Sequence, residues 1–380
     1  MLIDTNTELV PRGIYKVGEK FFTNKIEALI YSDAVSIHPT WDFNDNYFSK
    51  FDWKQEPQES LEFYYTLRCK QIRDQFDYVV LHFSGGSDSH NILTHFYKNK
   101  IHIDEILISA PVEYYDKFTK ASTSTAAEDM HNEWYHVMLP DMKWIADNLP
   151  NTKITLYDYT KDMLDFRVDQ DWILHTGEHF NPNVVNRIHR FTAIDQDIYD
   201  KKTVGHVYGI DKPICFKDQG NWYFAFLDST LSIQSSHKPI FNKHDHINVV
   251  NFYWTKDLPQ MLIKQAHCVM KFFEANPQFI YLATFKKKSK EDRELYQNII
   301  REVIYPYWRK TIFQNKKANN VFFKEFDRWF FDLASDKAKS EWYSGYNYVT
   351  QSVNDKWFNK DELGRPSGLT GFWSKWQQLN

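Results

Sequence analysis

Cysteine is scarce in this chain: three in 380 residues, Cys69, Cys215 and Cys268, far apart and in no Cys-x-x-Cys pair. That spacing suggests neither a disulfide framework nor a structural zinc, and a reducing, cytoplasmic compartment is the expectation. Long apolar runs are missing too. Met1 to Val10 carries Asp4 and Glu8 and no apolar core, so neither a secretory signal nor a membrane span is expected. Nor is there an excess of basic charge: 46 Lys and Arg stand against 50 Asp and Glu, a formal net charge of -4, which argues against a chain whose main task is to coat nucleic acid. The densest basic run, Lys286-Lys287-Lys288 with Lys290, reads as a solvated loop at a helix start. Two phosphate-binding signatures are absent as well, Gly-x-x-x-x-Gly-Lys-Ser/Thr and Gly-x-Gly-x-x-Gly.

What is present is a globular composition, 42% hydrophobic and 25% charged, long enough for two domains or one enlarged one. Aromatic residues are abundant at 17%, and core packing accounts for most of them. The Lys, Asn, Phe and Tyr bias suits an AT-rich genome, that of a phage included. No internal repeat or low-complexity tract interrupts the chain.

The most informative stretch runs from Val79 to Leu93: an apolar strand, then Ser84-Gly85-Gly86-Ser87-Asp88-Ser89, then a helix start. Two glycines let the backbone turn tightly and aim consecutive N–H groups at one anion, and the helix adds its positive N-terminal end. The hydroxyls of Ser84 and Ser89 can donate to phosphate oxygens, Ser87 contributes backbone, and Asp88 can hold the Mg²⁺ that accompanies a nucleotide.

Around this loop the patterning alternates strand and helix. Residues 58 to 75 form a helix with Leu61, Tyr64, Tyr65, Cys69 and Ile72 on one face, feeding a strand at Asp77 to Phe83. A helix over Ser89 to Tyr97 and a strand over Glu105 to Ser109 follow. Then come a helix within Ala126 to Ala146 and strands at Lys153 to Tyr157 and Thr203 to Tyr208. Such alternation predicts an α/β fold, a Rossmann-like parallel sheet with helices on both faces and ligands beyond the carboxyl ends of its strands, where Ser84, Ser109 and Tyr157 approach one edge. The expected division is 1–57 as accessory strands and loops, 58–228 as the nucleotide-binding domain and 229–380 as a mainly helical region. Residues 12 to 31 read as short strands about a Gly18 turn, 214–217 and 222–226 as a hairpin, and 257–275 and 290–304 as helices. Gly364 to Gly368 reads as a loop, with Trp373 and Trp376 anchoring the tail.

The Ser84-Gly85-Gly86-x-Asp88-Ser89 pattern, in its strand-to-helix setting, resembles the PP-loop of the ATP pyrophosphatase family, which includes the synthetase domain of asparagine synthetase, GMP synthetase, NAD synthetase and several tRNA-modifying enzymes. The resemblance implies a PP-loop (HUP-type) fold, ATP and Mg²⁺ as cofactors, and attack of a substrate oxygen on the α phosphate with release of pyrophosphate. It is specific over 77–93 and suggestive to about residue 228. A second cluster, Gly209-Ile210-Asp211-Lys212-Pro213, follows the fourth strand where asparagine-synthetase-like enzymes carry Gly-x-Gly-x-Asp-Glu. There Gly209 permits close approach, Asp211 is a candidate metal ligand, and Lys212 can neutralise departing pyrophosphate. An Asp-Lys-Pro turn that only opens the next hairpin is the alternative.

Leu2 stands where a fused class II glutaminase would carry its catalytic Cys, so the expected nitrogen donor is free ammonia, an amine or a separate partner. The cysteine pairs of sulfur-transferring relatives and the zinc cluster of the deazaguanine branch are missing. What remains is adenylation of a carboxylate, carbonyl or amide oxygen for attack by nitrogen, with catalysis assigned to Asp88, Asp211 and Lys212. Two alternatives stay open: a PP-loop enzyme that modifies a nucleobase in DNA or tRNA, and a nucleotide-binding interaction protein without turnover. Other polar groups have plainer readings. His175, Glu178, His179 and Arg187 read as a capped surface helix, His244-Asp245-His246 as a polar loop, and Tyr305, Tyr307, Trp308 and Arg309 as a packed helix end rather than a base-stacking platform.

Overall fold

The computed structural model describes residues 13–114, 134–168, 172–175, 180–209, 214–228, 247–285, 289–307, 328–361 and 363–380. Its first segment is a small antiparallel sheet of β1 (Ile14–Val17), β2 (Lys20–Phe22) and β3 (Thr40–Asp42), in the order β2-β1-β3. The turn at Gly18 agrees with the sequence, but residues 12 to 31 are not strands throughout: Lys25–Val35 is a helix. Its start is fixed by Asn24, whose Oδ1 accepts from the N–H groups of Ile26 and Glu27 at 2.9 and 3.2 Å. Asp228, fully buried, joins this unit to the rest: it accepts from Tyr15 Oη (2.8 Å) and the Phe372 N–H (2.7 Å) and forms an ion pair with Lys25 Nζ (2.8 Å).

The four apolar runs become β4 (Tyr78–His82), β5 (Glu105–Ala110), β6 (Lys153–Asp158) and β7 (Val204–Tyr208). After β7 the chain makes the expected hairpin, β8 (Ile214–Asp218) and β9 (Asn221–Ala225), and returns as β10 (Ile247–Asn251). The central sheet has the order β10-β7-β4-β5-β6 and every neighbouring pair is parallel. β10 lies beyond residue 228, in the stretch expected to be mainly helical. A five-residue stretch, Ile-Asn-Val-Val-Asn, carries too little periodicity to separate strand from helix.

Each residue of β4 is buried, because both faces of the sheet are covered. Val79, Leu81 and Phe83 join the core formed with the helices Leu61–Gln75, Ser87–Lys98 and Pro259–Ala275. Tyr78 and Val80 pack on the other face with Val204, Tyr208 and the cover supplied by Phe191, Ile194 and Tyr199. From β4 the chain steps through β5 to β6 and then places β7 on the opposite side of β4. The reversal makes the carboxyl ends of β4 and β7 the topological switch point, where connections diverge and leave a crevice.

The remaining chain packs as helices Lys290–Ile304 and Asp336–Ser352 with short strands β11 (Phe358–Lys360), β12 (Pro366–Leu369) and β13 (Gln377–Gln378). The Gly364–Gly368 loop is thus partly strand, since β12 pairs with β11. The tail is anchored as expected: Trp373 and Trp376 lie 5.7 and 4.9 Å from the Phe216 ring. Among the described residues no helix is long and apolar enough to cross a membrane.

Candidate functional site

The loop that follows β4 sits at the switch point and turns straight into the helix Ser87–Lys98. Gly85 has φ +68°, the left-handed region that disfavours a side chain. A Cβ there would collide with Met138 Sδ and lie 3.1 Å from Val137 Cγ1. The wall that presses on Gly85 is itself fixed, because His90 Nε2–H donates to Asp141 Oδ2 at 2.6 Å while the His90 ring stacks on Phe83. Burial pushes the Asp141 carboxyl up, and His90 opposes that shift.

The serines divide their work. Ser84 is exposed, and its Oγ accepts weakly from the Gly86 N–H at 3.4 Å. Ser89 is buried; its hydroxyl donates to Gly86 O at 3.0 Å and accepts from the Ser84 N–H at 3.4 Å, so it closes the loop from within. Of the two, Ser84 alone presents its hydroxyl to solvent. Ser87 is buried, and its hydroxyl donates to Asp88 Oδ1 at 3.5 Å, a side-chain contact the backbone-only reading did not include. Gly86 occupies the N-cap without a side-chain cap, whereas the helices beginning at Lys25, Leu61, Lys290 and Asp336 are capped by Asn24, Ser60, Ser289 and Ser335. The first-turn N–H groups after Gly86 therefore face the loop with no side-chain acceptor, the arrangement that suits an anion.

Asp88 is half-buried in the first turn of that helix and is held by two tyrosines. Tyr305 Oη donates to Asp88 Oδ1, and Tyr253 Oη donates to the Asp88 carbonyl at 2.8 Å. Asn91 Nδ2 steadies Tyr253 Oη at 3.1 Å. Burial, then the Asp88 charge, pushes the Tyr305 hydroxyl well above its ordinary value, so it remains a donor. Tyr305 ends the helix Lys290–Ile304 and is packed, as read from the sequence, yet it also reaches the loop. Tyr253 was not foreseen; its signal is its place two residues beyond β10.

Gly209 lies beside Asp88. A Cβ on it would stand 2.9 Å from Asp88 Cβ and 3.1 Å from Ile92 Cδ1, so the close approach needs glycine. Asp211 and Lys212 lie outside the described residues, as do Glu178, His179, Lys286 to Lys288, His244 to His246, Trp308 and Arg309. His175 closes the turn Trp172–His175, and Arg187 falls in the helix Val184–His189. Ser109 is half-buried at the penultimate position of β5, aligned with Tyr157 of β6. Among the described residues no group of three or more His, Cys, Asp or Glu is gathered to hold a metal ion. Mg²⁺ bound with a nucleotide needs only one or two carboxylates besides phosphate oxygens, a demand that Asp88 can meet in part.

On the other face of β4 and β7 a second polar group of residues lies at the same end. His82 Nε2 and His206 Nδ1 are 2.9 Å apart, His206 Nε2 is 3.0 Å from Tyr199 Oη, and that hydroxyl donates to Phe191 O at 3.0 Å. One proton arrangement satisfies the chain: His82 Nε2–H donates to His206 Nδ1, and His206 Nε2–H donates to Tyr199 Oη. It requires neutral His206, consistent with burial and the nearby Arg190 charge holding that imidazole down to about 3.

No protein-family model matches the chain, and no curated protein matches it.

Proposed function

We propose that the chain is a Mg²⁺-dependent ATP pyrophosphatase that adenylates an acceptor oxygen for attack by a nitrogen nucleophile. The observation that carries this reading is the Ser84–Ser89 loop at the switch point of a Rossmann-like parallel sheet, with Gly85 at φ +68° and an uncapped helix start behind it. In this reaction the acceptor oxygen forms a bond to the α phosphorus, the bridging bond to the β phosphate breaks, and pyrophosphate departs; Mg²⁺ held in part by Asp88 would offset its charge. Nitrogen then attacks the activated carbon, gives up a proton to solvent, and AMP leaves. Poor leaving groups become good ones, and the protein supplies in-line positioning and neutralisation of the pyrophosphate. The PP-loop family assignment belongs to this proposal, as do Ser84, Gly85, Gly86, Ser87, Ser89, Ser109 and Gly209 around ATP, Asp88 and Asp211 at the metal, and Lys212 at the pyrophosphate.

One contact favours a second reading. The Asp88 carboxylate already receives the Tyr305 hydroxyl, and a metal ion there has to share or displace it. If Tyr305 keeps that oxygen, the loop binds nucleotide and does not turn it over.

Incubation with α-labelled ATP and Mg²⁺, with and without a low-molecular-weight extract or nucleic acid, separates these outcomes. The adenylation reading expects AMP that depends on an added fraction and falls by about 10² to 10³ in Asp88→Ala with the fold intact. Dependence on nucleic acid would assign the nucleobase-modifying alternative. ADP as product, or full AMP formation by Asp88→Ala, would overturn the mechanism, and tight ATP binding without cleavage would leave a nucleotide sensor.

A further inference from the structure

At the carboxyl ends of β7 and β10, on the face of the sheet away from the helix Ser87–Lys98, three buried polar atoms have no hydrogen-bond partner among the described residues: Arg190 Nε, Tyr208 Oη and Asn251 Oδ1. They form one group. The Arg190 guanidinium lies 4.6 Å from the Tyr208 ring centre, and Asn251 is aligned with Tyr208 in the parallel register, which puts the two side chains on the same face. Tyr208 stacks in turn on His82 at 4.0 Å, two residues before Ser84. Among the described residues no carboxylate pairs with Arg190, although burial works against its charge. A guanidinium Nε–H, a hydroxyl and a carboxamide oxygen withheld from water are costly unless something else pairs with them.

We propose that Arg190, Tyr208 and Asn251 form a subsite for an oxyanion, a carboxylate or phosphate, carried by the acceptor of the adenylation reaction; this rests on the reading given above. Guanidinium N–H and the Tyr208 hydroxyl are the donors such a group takes, Asn251 Oδ1 can accept from a protonated oxygen of the same group, and a guanidinium can grip it in two places. The position separates the subsite from the nucleotide's own phosphates. The loop and the uncapped helix start serve one face of β4, while Arg190 and Tyr208 serve the other, so an acceptor anchored there extends over the strand ends toward the loop. The Arg190–Tyr208 contact also explains why a charged residue lies against an otherwise apolar and histidine-lined cover.

Equilibrium dialysis of labelled inorganic phosphate against the full chain, with Mg²⁺ and saturating α,β-methylene ATP, tests the assignment. Wild type is expected to bind phosphate with the nucleotide in place. Arg190→Gln weakens phosphate by about tenfold or more and Tyr208→Phe by about fivefold, while analogue affinity stays within about twofold. Phosphate displaced by the analogue, or bound equally well by both variants, would overturn the subsite. So would a tenfold loss of analogue affinity in Arg190→Gln, which would place Arg190 against ATP instead. Tyr208→Phe removes a single oxygen and decides the matter if Arg190→Gln does not fold. If the analogue itself fails to bind wild type, the adenylation reading fails alone. Phosphate binding that is then lost in Arg190→Gln and kept in Ser84→Ala still supports the subsite, and the reverse pattern rejects it.

Discussion

At the amino ends of β4 and β5, Glu105 is fully buried and fully engaged: it accepts from Tyr78 Oη at 2.8 Å and from Thr155 Oγ1, and Lys153 Nζ lies 3.4 Å away. Asp104 beside it accepts from the Val79 N–H and from Arg73, and Asp77 accepts from Thr203 Oγ1 at 2.7 Å. At the carboxyl ends of the same sheet, Arg190 Nε, Tyr208 Oη, Asn251 Oδ1 and Asn91 Oδ1 are buried without hydrogen-bond partners among the described residues, and the helix after Gly86 starts without a side-chain cap. Polar groups at one edge hold strands together. At the other edge their hydrogen-bonding capacity is left open, which is the condition for ligand recognition and a burden on stability. Four substitutions or conditions test that contrast.

The largest effect is expected where shape and open donors coincide. Gly85→Ala forces an L side chain into φ +68° and drives its Cβ into Met138. About 1 to 2 kcal/mol of backbone strain adds to about 1 to 3 kcal/mol of overpacking, so urea unfolding should show a loss of roughly 3 kcal/mol together with loss of nucleotide binding. Retained nucleotide affinity at normal stability would mean that the loop shape is incidental.

Glu105→Ala acts at the opposite edge. It strands Tyr78 Oη and Thr155 Oγ1 and should cost about 2 to 3 kcal/mol in unfolding experiments, with nucleotide affinity unchanged at temperatures where the variant is folded. A selective loss of nucleotide affinity would break the division between a structural and a ligand-facing edge.

Acid should bear on the histidines of the carboxyl edge. His206 is held at about 3, chiefly by burial, against 6.5 for the unfolded chain. Its native value is depressed, so the unfolded state takes up the proton first: the contribution is complete above pH 6.5 and is lost as pH falls through that value toward 3. Between pH 6.5 and 5 this one group accounts for roughly 2 kcal/mol. His206→Gln should flatten the urea-derived stability profile by that amount, and an unchanged profile would show that His206 titrates normally.

How much of this was legible follows from the kind of signal each residue gives. β4 and its loop were readable because five consecutive apolar or aromatic-compatible residues run into Gly-Gly, a pairing of burial and turn chemistry that local sequence encodes. The helix Lys25–Val35 was missed because its one decisive feature is a single Asn cap, and β10 because its register is set by β7 rather than by its own pattern. Tyr253 and Tyr305 reach Asp88 from 165 and 217 residues away, separations that no spacing rule spans. Arg190 was invisible for a related reason. In sequence it is one more basic residue on a polar helix, and only the packing of 190–201 against β4 and β7 withdraws it from water.

Withdrawal without a carboxylate gives Arg190 the smallest expected effect, of opposite sign to the rest. Arg190→Met keeps a long side chain against the Tyr208 ring and removes a half-buried charge that, among the described residues, lies over the Tyr208 and Phe191 rings and disfavours protonation of the His206 imidazole. Loss of the cation–π attraction and relief of the desolvation penalty oppose each other. The penalty is the larger where no anion is bound, so the variant should gain about 1 kcal/mol in urea unfolding at pH 7 and lose part of the acid sensitivity assigned to His206. A stability loss of the size expected for Glu105→Ala would show that Arg190 holds the fold as the amino-edge groups do. The contrast between the two ends of the sheet would then disappear.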